Sequence, residues 1–200
     1  SLYVQKEYLN PLSQIFITNN SSMQNGIIGN TFLKITPVKG LVINTSMGID
    51  YQYYTGKGFT PSYKFYDTNG NQLNLVNELN DIYEYSSKNF IWQWENFATY
   101  TKDFGKHSIQ GTIGTTMRQF KGSSFGASSS GIPEEVQFDP NFQYIDNTPD
   151  SLRRSNSSAP EKVSLVSVFG RAIYGYDQKY LVTATLRRDG SSVFGPNNRY

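Results

Sequence analysis

The residues of this sequence that could carry out acid–base or nucleophilic chemistry are few and far apart. His107 is the only histidine and the chain has no cysteine, so no Ser-His-Asp or Cys-His set is available. Glu134 and Glu135 are adjacent, and adjacent side chains of an extended chain point to opposite faces. We therefore predict that the chain is not an enzyme. We interpret His107, which follows a turn and opens a strand, as an interfacial turn residue.

The stretch "DTNGNQLNLVNE" contains a candidate calcium site. The oxygen-bearing side chains at the spacing of a calcium-binding EF-hand loop are Asp67, Asn69, Asn71 and Glu78. That loop needs a glycine where this chain has Gln72. The dipeptide Asn69-Gly70 between two hydrophobic runs is instead typical of a β-hairpin turn. We therefore predict a hairpin here, with no metal and no cofactor.

Aromatic side chains are the best candidates for ligand binding. The chain has 15 tyrosines and 13 phenylalanines, and many lie in stretches rich in Gly, Ser, Asn and Pro. Aromatic faces can stack on sugar rings and on peptide side chains. The candidate ligand residues are Tyr53, Tyr54, Tyr63, Phe65 and Tyr66, and further loop aromatics are Phe59, Phe125, Phe138, Phe142 and Tyr144. The alternative is that these loops pack against one another or against a partner protein.

The elements that must position these residues are β-strands. In "LVINTSMGIDYQYY" (41–54) the odd-numbered positions are mostly apolar and the even-numbered ones mostly small and polar, which is the period of a strand. Similar alternation on both sides of short turns predicts three hairpins, over about 27–54, 90–120 and 163–189. The long connections are 55–89 and 121–162. Within the second, "GSSFGASSSG" (122–131) is typical of a mobile loop tip. The predicted fold class is all-β, an antiparallel meander of long hairpins.

Charge, strand length and the positions of aromatic residues exclude some classes of function and favour others. Charged residues are 17% of the chain and the net charge is only +2, without the basic stripe of a nucleic-acid-binding protein. Long strands joined alternately by short turns and long loops are typical of transmembrane β-barrels, whereas soluble sandwiches favour strands of about five or six residues. Aromatic residues near the strand ends match an interfacial girdle. They are Tyr51, Tyr53, Trp92, Trp94, Tyr100, Tyr174, Tyr176 and Tyr180. A soluble β-domain with a tyrosine-rich core is the alternative.

The densest charged set lies near the C-terminal end of the sequence. Its members are Arg171, Arg187, Arg188 and Asp189. On strand alternation Arg187 and Asp189 lie on the face opposite Val182 and Leu186, and a charge facing lipid near the midplane costs about 2–4 kcal/mol. We therefore expect Arg187 and Asp189 to face the lumen, and we interpret the set as a structural ion network at the extracellular rim.

The same region carries a resemblance to a known family. "SVFGRAIYGYDQKYLVTATLRRDGSSVFGPNNRY" (167–200) resembles a segment that marks SusC/RagA-type TonB-dependent transporters. That segment reads S-x-F-G-R-x-x-Y-x-Y, a short turn, then K-Y-L-x-T-A-x-x-R-x-D-G-S-S-x-F-G-P-x-N. The stretches 32–53 and 92–115 are similar to upstream barrel strands of the family. The resemblance implies a partial slice of a transmembrane barrel of about 22 strands, with the plug domain and the remaining strands outside this chain.

What the resemblance implies about function is import across the cell outer membrane. The whole protein would take up glycan oligomers or peptides, energised by TonB through a plug region that this chain does not contain. Its expected partners are a SusD-like surface lipoprotein, TonB, outer-membrane lipid and the substrate, with no nucleic acid. The alternative function is a soluble β-sandwich that binds carbohydrate or acts as an adhesin.

Overall fold

β-Strands account for most of the described residues. The computed structural model describes residues 19–66 and 69–195, and residues 73–75 by their backbone alone. The strands are β1 (Asn19–Val38), β2 (Leu41–Thr60), β3 (Tyr63–Tyr66), β4 (Gln72–Asn77), β5 (Asp81–Phe104), β6 (His107–Ser130), β7 (Arg154–Ser157), β8 (Glu161–Tyr176) and β9 (Tyr180–Ser191). Asp67 of the metal-like stretch and Pro196, Asn198 and Arg199 of the family segment lie outside these residues.

The strands form one large sheet and one separate hairpin. In the large sheet the order is β1-β2-β5-β6-β8-β9, with β7 also paired to β6, so chain neighbours are mostly sheet neighbours. β8 and β9 are antiparallel, with Tyr176 opposite Tyr180 and Leu165 opposite Ser191. This is the predicted antiparallel meander of long hairpins, and the predicted fold class is confirmed.

Tight turns close the three long hairpins. Gly40 and Gly105 have φ of +89° and +56°, in the left-handed region that glycine enters at little cost. The third turn contains Asp177 and Gln178, whose φ values are also positive, at +50° and +55°. The side chain of Asp177 lies 3.4 Å from the ammonium groups of Lys106 and of Lys179. Each turn therefore reverses the chain through at least one residue of positive φ.

The strands extend further than the sequence pattern predicts, so the stretches 55–89 and 121–162 are not simply loops. β2 continues to Thr60, β5 already begins at Asp81, and β6 continues to Ser130. The segment "GSSFGASSSG", predicted as a mobile loop tip, lies largely within β6 and pairs with β7. Glycine and serine have weak strand propensity, but pairing with neighbouring strands satisfies their backbone groups and outweighs it.

The hairpin predicted around Asn69-Gly70 is present. β3 pairs antiparallel with β4, with Tyr63 opposite Asn77 and Tyr66 opposite Gln72. Gly70 has φ of +84° and open space around its α-carbon, as a hairpin turn requires. Among the described residues, no group of three or more His, Cys, Asp or Glu side chains could hold a metal ion.

Two compact units divide the described chain. The first, called here the cavity unit, comprises Tyr53–Ser87, Ser123–Ala159 and the described residues up to Asn25. Its small apolar core consists of Phe59, Ile82 and Ile132, with Val136 and Ile145 packed against it. Phe59, a candidate ligand residue from the sequence, is therefore a core residue.

The second, called here the wall unit, comprises Gly26–Gln52, Lys88–Gly122 and the described residues from Pro160 onward. It consists of extended sheet, with polar residues on one face and many exposed apolar residues on the other. The part of the chain that is described contains no helix of sufficient length and apolar character to span a membrane.

Candidate functional site

A cavity in the cavity unit brings together aromatic residues from several elements. Its volume is about 680 Å³, and its aromatic lining is Tyr53, Tyr85, Phe125 and Tyr144. Tyr53 comes from β2, Tyr85 from β5 and Phe125 from β6. Tyr144 comes from the segment between β6 and β7, which contains three short 3-10 turns. A volume of this size and an aromatic lining with a few polar groups are typical of small-ligand sites.

Two opposite charges lie at the same cavity. The Lys57 ammonium is 3.9 Å from a carboxylate oxygen of Glu84. It also lies over the ring of Tyr144, 4.0 Å from the ring centroid, which is a cation–π contact. Serine and threonine hydroxyls complete the polar lining, from Ser21, Ser22, Thr55 and Ser86. The cavity therefore offers flat apolar faces and many hydrogen-bonding groups, with its two charges paired.

The segment that carries Tyr144 is held by a buried polar network. The side chain of Asn80, only 2% exposed, accepts hydrogen bonds from the backbone N–H groups of Gly131 and Ile132 at 3.1 and 2.8 Å. It also donates to the carbonyl of Ile132 at 2.7 Å. Gln137 accepts hydrogen bonds from the backbone N–H and the hydroxyl of Ser62 at 2.9 and 3.1 Å. The start of the segment is therefore fixed to the residue just before β5 and to the chain just after β2.

Further contacts fix the rest of the segment. Ile145, directly after Tyr144, packs against the apolar core. Thr148 and Ser129, both buried, share a hydrogen bond of 2.6 Å between their hydroxyls. The guanidinium of Arg153 donates to the carbonyls of Asp146 and Thr148 at 2.8 and 2.7 Å. Tyr144 is therefore presented by a folded segment with its own anchors.

The structure separates the five candidate ligand residues. Tyr53 lines the cavity, whereas the hydroxyl of Tyr54 accepts a hydrogen bond from Gln24 at 3.1 Å. Tyr63 and Phe65 lie on one face of β3, with ring centroids 5.1 Å apart. Tyr66 lies on the other face of β3 and is exposed. Of the further aromatics, Phe125 and Tyr144 line the cavity with Tyr53.

Sequence reasoning missed Lys57, Glu84 and Tyr85 as cavity residues. Glu84 and Tyr85 belong to "DIYEYSS" at the start of β5, a stretch that lies in the predicted long connection 55–89. The signal was present in that stretch, because Ile82 and Glu84 alternate with Tyr83 and Tyr85. This pattern predicts a further strand with aromatic residues, which can pair with the strand that carries Tyr53.

The predicted rim network is divided between two faces of the wall unit. Arg187 Nε donates to Asp189 Oδ1 at 2.8 Å, and Arg187 Nη2 donates to the Ser167 hydroxyl at 3.0 Å. Ser167 stands directly opposite Asp189, so these three residues share a face. Arg171 lies on the same face, opposite Thr185. Arg188 stands opposite Val168 on the other face, where it lines an apolar groove.

The two faces of the wall unit differ sharply in polarity. On the face that carries Arg187, a cavity of about 290 Å³ is lined by Asp50, Gln93, Glu95 and Arg118 among others. On the opposite face apolar side chains are exposed, including Ile113 at 69% and Leu186 at 80%. Exposed apolar side chains grouped on one face are typical of a surface that contacts another protein or a membrane.

His107 lies at the start of β6, where the sequence predicts a turn residue. Its Nδ1 is 2.6 Å from the hydroxyl of Tyr174. The imidazole also stacks on Phe104, with ring centroids 5.1 Å apart, and contacts the ring of Tyr176 at 5.0 Å. The histidine therefore belongs to an aromatic cluster beside the hairpin turns of the wall unit.

Comparison with known proteins identifies relatives along the whole chain. No protein-family model matches. TonB-dependent receptor P39 of Formosa agariphila is 27% identical over 203 aligned positions, which cover 98% of this chain and 18% of the receptor. TonB-dependent receptor P3 of the same organism is 36% identical over 107 positions, which cover 53% of this chain and 10% of the receptor. TonB-dependent receptor SusC of Bacteroides thetaiotaomicron is 27% identical over 193 positions, which cover 96% of this chain and 17% of SusC. The chain thus spans less than a fifth of these relatives.

Solved structures share the fold. A chain of the RagAB peptide transporter matches all of this chain with a TM-score of 0.82, over 21% of its own length and at 24% identity. The RagAB peptide importer in its closed-closed state matches 92% of this chain with a TM-score of 0.77, over 19% of its own length and at 25% identity. The fold match and the receptor matches agree with the resemblance that the segment 167–200 shows to TonB-dependent transporters. The chain is therefore similar over nearly its whole length to TonB-dependent receptors, SusC among them, and it has the fold of part of such a receptor's β-barrel.

Proposed function

We propose that the chain forms part of the wall of a nutrient importer in the cell outer membrane. The observation that carries this proposal is the two-faced sheet of the wall unit. One face presents exposed apolar residues such as Ile113, Val168 and Leu186, and the other presents hydrogen-bonded polar residues. A barrel strand in lipid alternates in this way, with apolar residues outward and polar residues toward the lumen.

Polar groups on the apolar face support the same proposal because they bond to one another. Trp94 Nε1 donates to the hydroxyl of Thr45 at 2.9 Å. The Thr45 hydroxyl in turn donates to Asn96 Oδ1 at 2.7 Å. In the bilayer interior no water is present to satisfy such groups, so internal pairing removes a cost of several kcal/mol.

The energy source, the partner and the substrates are part of the proposal. Import is energised by TonB through a plug region outside this chain, and a SusD-like surface lipoprotein works with the transporter. The substrates are glycan oligomers or peptides. The RagAB structures are described as a peptide transporter and importer, which supports peptides.

Residue roles also belong to the proposal. Tyr53, Tyr54, Tyr63, Phe65 and Tyr66 are candidates for substrate contact. The barrel wall is stabilised by Arg171, Arg187, Arg188 and Asp189. The hydrogen bonds of Arg187 with Asp189 and Ser167 support that role on the face that carries Arg187.

The first test is the location and size of the intact protein that carries this chain. An antibody raised against the chain would be used on fractionated cell envelopes. We expect a band in the outer-membrane fraction that is several times larger than this chain and changes its migration in SDS on heating, as folded barrels do. A soluble band of about the size of this chain would contradict the proposal. A soluble carbohydrate-binding or adhesin sandwich would then replace it.

A further inference from the structure

We propose that the apolar groove of the wall unit binds a phosphorylated lipid of the outer leaflet, with an acyl chain in the groove and the phosphate group on Arg188. This inference rests on the proposed function, because it requires the apolar face to lie in the membrane, and it adds a lipid site to that function. The groove has a volume of about 760 Å³. The lining residues that matter for the inference are Asn96, Ile113, Thr115, Gly170, Leu186 and Arg188.

A glycine between two large side chains forms the apolar part of the groove. Gly170 of β8 stands directly opposite Ile113 of β6 on one side and Leu186 of β9 on the other. A β-carbon built at Gly170 would have one neighbour within 4 Å, the carbonyl oxygen of Thr112 at 4.0 Å. The backbones of β6 and β9 are roughly 10 Å apart, since two strand spacings separate them. An alkyl chain with carbon contacts of about 4 Å on each side therefore fits over Gly170.

Polar groups lie in the next row of the groove. Arg188 and Thr115 both stand opposite Val168, on the far side of Gly170 from the hairpin turn. Asn96, whose side-chain oxygen accepts a hydrogen bond from Thr45, also lines the groove. A guanidinium can donate two hydrogen bonds to one phosphate group, and hydroxyl and amide groups add further donors. The groove therefore has the polarity of a lipid, with an apolar slot and a cation beyond it.

The charges of β6, β8 and β9 are divided between the two faces. Register places both carboxylates of these three fully described strands, Glu161 and Asp189, on the polar face. The charged side chains on the apolar face of the same strands are the cations Arg188, Lys121 and Lys162. Lys121 and Lys162 are exposed and stand directly opposite each other, where like charges repel. Anionic groups in the surroundings would stabilise this arrangement.

The depth of Arg188 matches the headgroup level of a membrane. From Tyr180 at the start of β9 to Arg188 the strand rises roughly 27 Å, at about 3.4 Å per residue. With a strand tilt of about 40° this corresponds to roughly 20 Å across the membrane, close to the apolar band of about 25 Å in such barrels. Short turns of barrels lie on the periplasmic side, so Arg188 lies toward the outer leaflet.

The first experiment follows the modification of Arg188 by phenylglyoxal in the intact transporter, located by mass spectrometry of its peptides. The transporter is washed in detergent until its own lipids are removed, and lipid A is then added. We expect lipid A to slow the modification of Arg188 several-fold. Arg171, which is exposed on the opposite face, is the internal control and should keep its rate.

Three further probes separate recognition of the phosphate from coverage of the surface by lipid. They are lipid A from which the phosphates have been removed, glucosamine 1-phosphate and inorganic phosphate, each at the same concentration, and each should protect Arg188 much less. Equal protection by the dephosphorylated lipid would overturn recognition of the phosphate. Equal protection by either soluble phosphate would overturn the lipid as ligand, and no protection by lipid A would overturn the site.

Variants test the two parts of the groove, with the affinity for lipid A measured by native mass spectrometry. Arg188→Ala should weaken binding by about tenfold or more, and the matched Arg171→Ala should not. Gly170→Leu should weaken it several-fold because the new side chain fills the open space, and Gly170→Ala should have a smaller effect. If Gly170→Leu fails to fold, the two arginine variants decide, and equal affinities for them overturn the location of the phosphate. The heat-dependent band in the outer membrane is measured separately, so failure of the lipid site is distinguishable from failure of the transporter proposal.

Discussion

At the scale of single residues, two hairpin glycines are required for different reasons. Gly40 has φ of +89°, and a β-carbon there would meet the carbonyl oxygen of Thr101, whose N–H donates to the carbonyl of Gly40 at 2.8 Å. Gly105 has φ of +56° with open space around it. We expect Gly105→Ala to lower the free energy of unfolding by about 1 kcal/mol, the cost of a left-handed alanine. Gly40→Ala should cost about 1–3 kcal/mol more because of the added clash.

Urea unfolding of the intact barrel in detergent micelles measures both changes. Gly105→Asn provides the control, because asparagine tolerates positive φ better than alanine does, and it should lose less stability than Gly105→Ala. Equal losses for Gly40→Ala and Gly105→Ala would show that the backbone at Thr101 moves away freely.

At the scale of elements, the sequence predicts the existence of strands better than their ends. The alternation in 41–54 is strong, and β2 includes it completely. Beyond Tyr54 the chain reads "TGKGFT", where Gly56 and Gly58 interrupt the alternation of apolar and polar residues. Those glycines are the positions over which Tyr83 and Tyr85 lie, a contact between residues far apart in sequence. Local propensity therefore predicts a loop where neighbouring strands stabilise a strand.

The segment 131–153 is the element whose stability bears on the cavity. Asn80→Ala removes the acceptor for the N–H groups of Gly131 and Ile132 and leaves them buried without that partner, so the segment should lose about 2 kcal/mol or more. Hydrogen exchange of the intact protein should become faster across 131–153 and stay unchanged in β8 and β9. Asn147→Ala, which removes one exposed hydrogen bond to Phe142, is the matched control and should have little effect.

The exchange rates of this variant also test whether Asn80 is a required anchor of the segment. Unchanged exchange in Asn80→Ala would mean that the remaining contacts, such as those of Gln137 and Arg153, hold the segment without it.

At the scale of the whole molecule, family and fold class were predictable and the cavity was not. The segment 167–200 indicates the family because many specific residues recur at fixed spacing. The cavity depends on contacts such as Lys57 with Tyr144, between residues far apart in the sequence that lack a shared local pattern. Ligand binding by the aromatic residues therefore stays a prediction, and of the ten aromatics named from the sequence three, Tyr53, Phe125 and Tyr144, line the cavity.

The difference in polarity between the two faces of the wall unit predicts which face contacts the membrane. Ala184 and Thr183 are adjacent on β9, opposite Ala172 and Ile173 of β8, so they lie at nearly the same depth on opposite faces. If the apolar face contacts lipid, Ala184→Lys should destabilise the barrel by about 2–4 kcal/mol, whereas Thr183→Lys should change its stability little. The measurement is urea unfolding of the intact protein folded into lipid vesicles. A larger loss for Thr183→Lys would reverse the assignment of the faces, and equal small losses would mean that neither face lies in the bilayer interior.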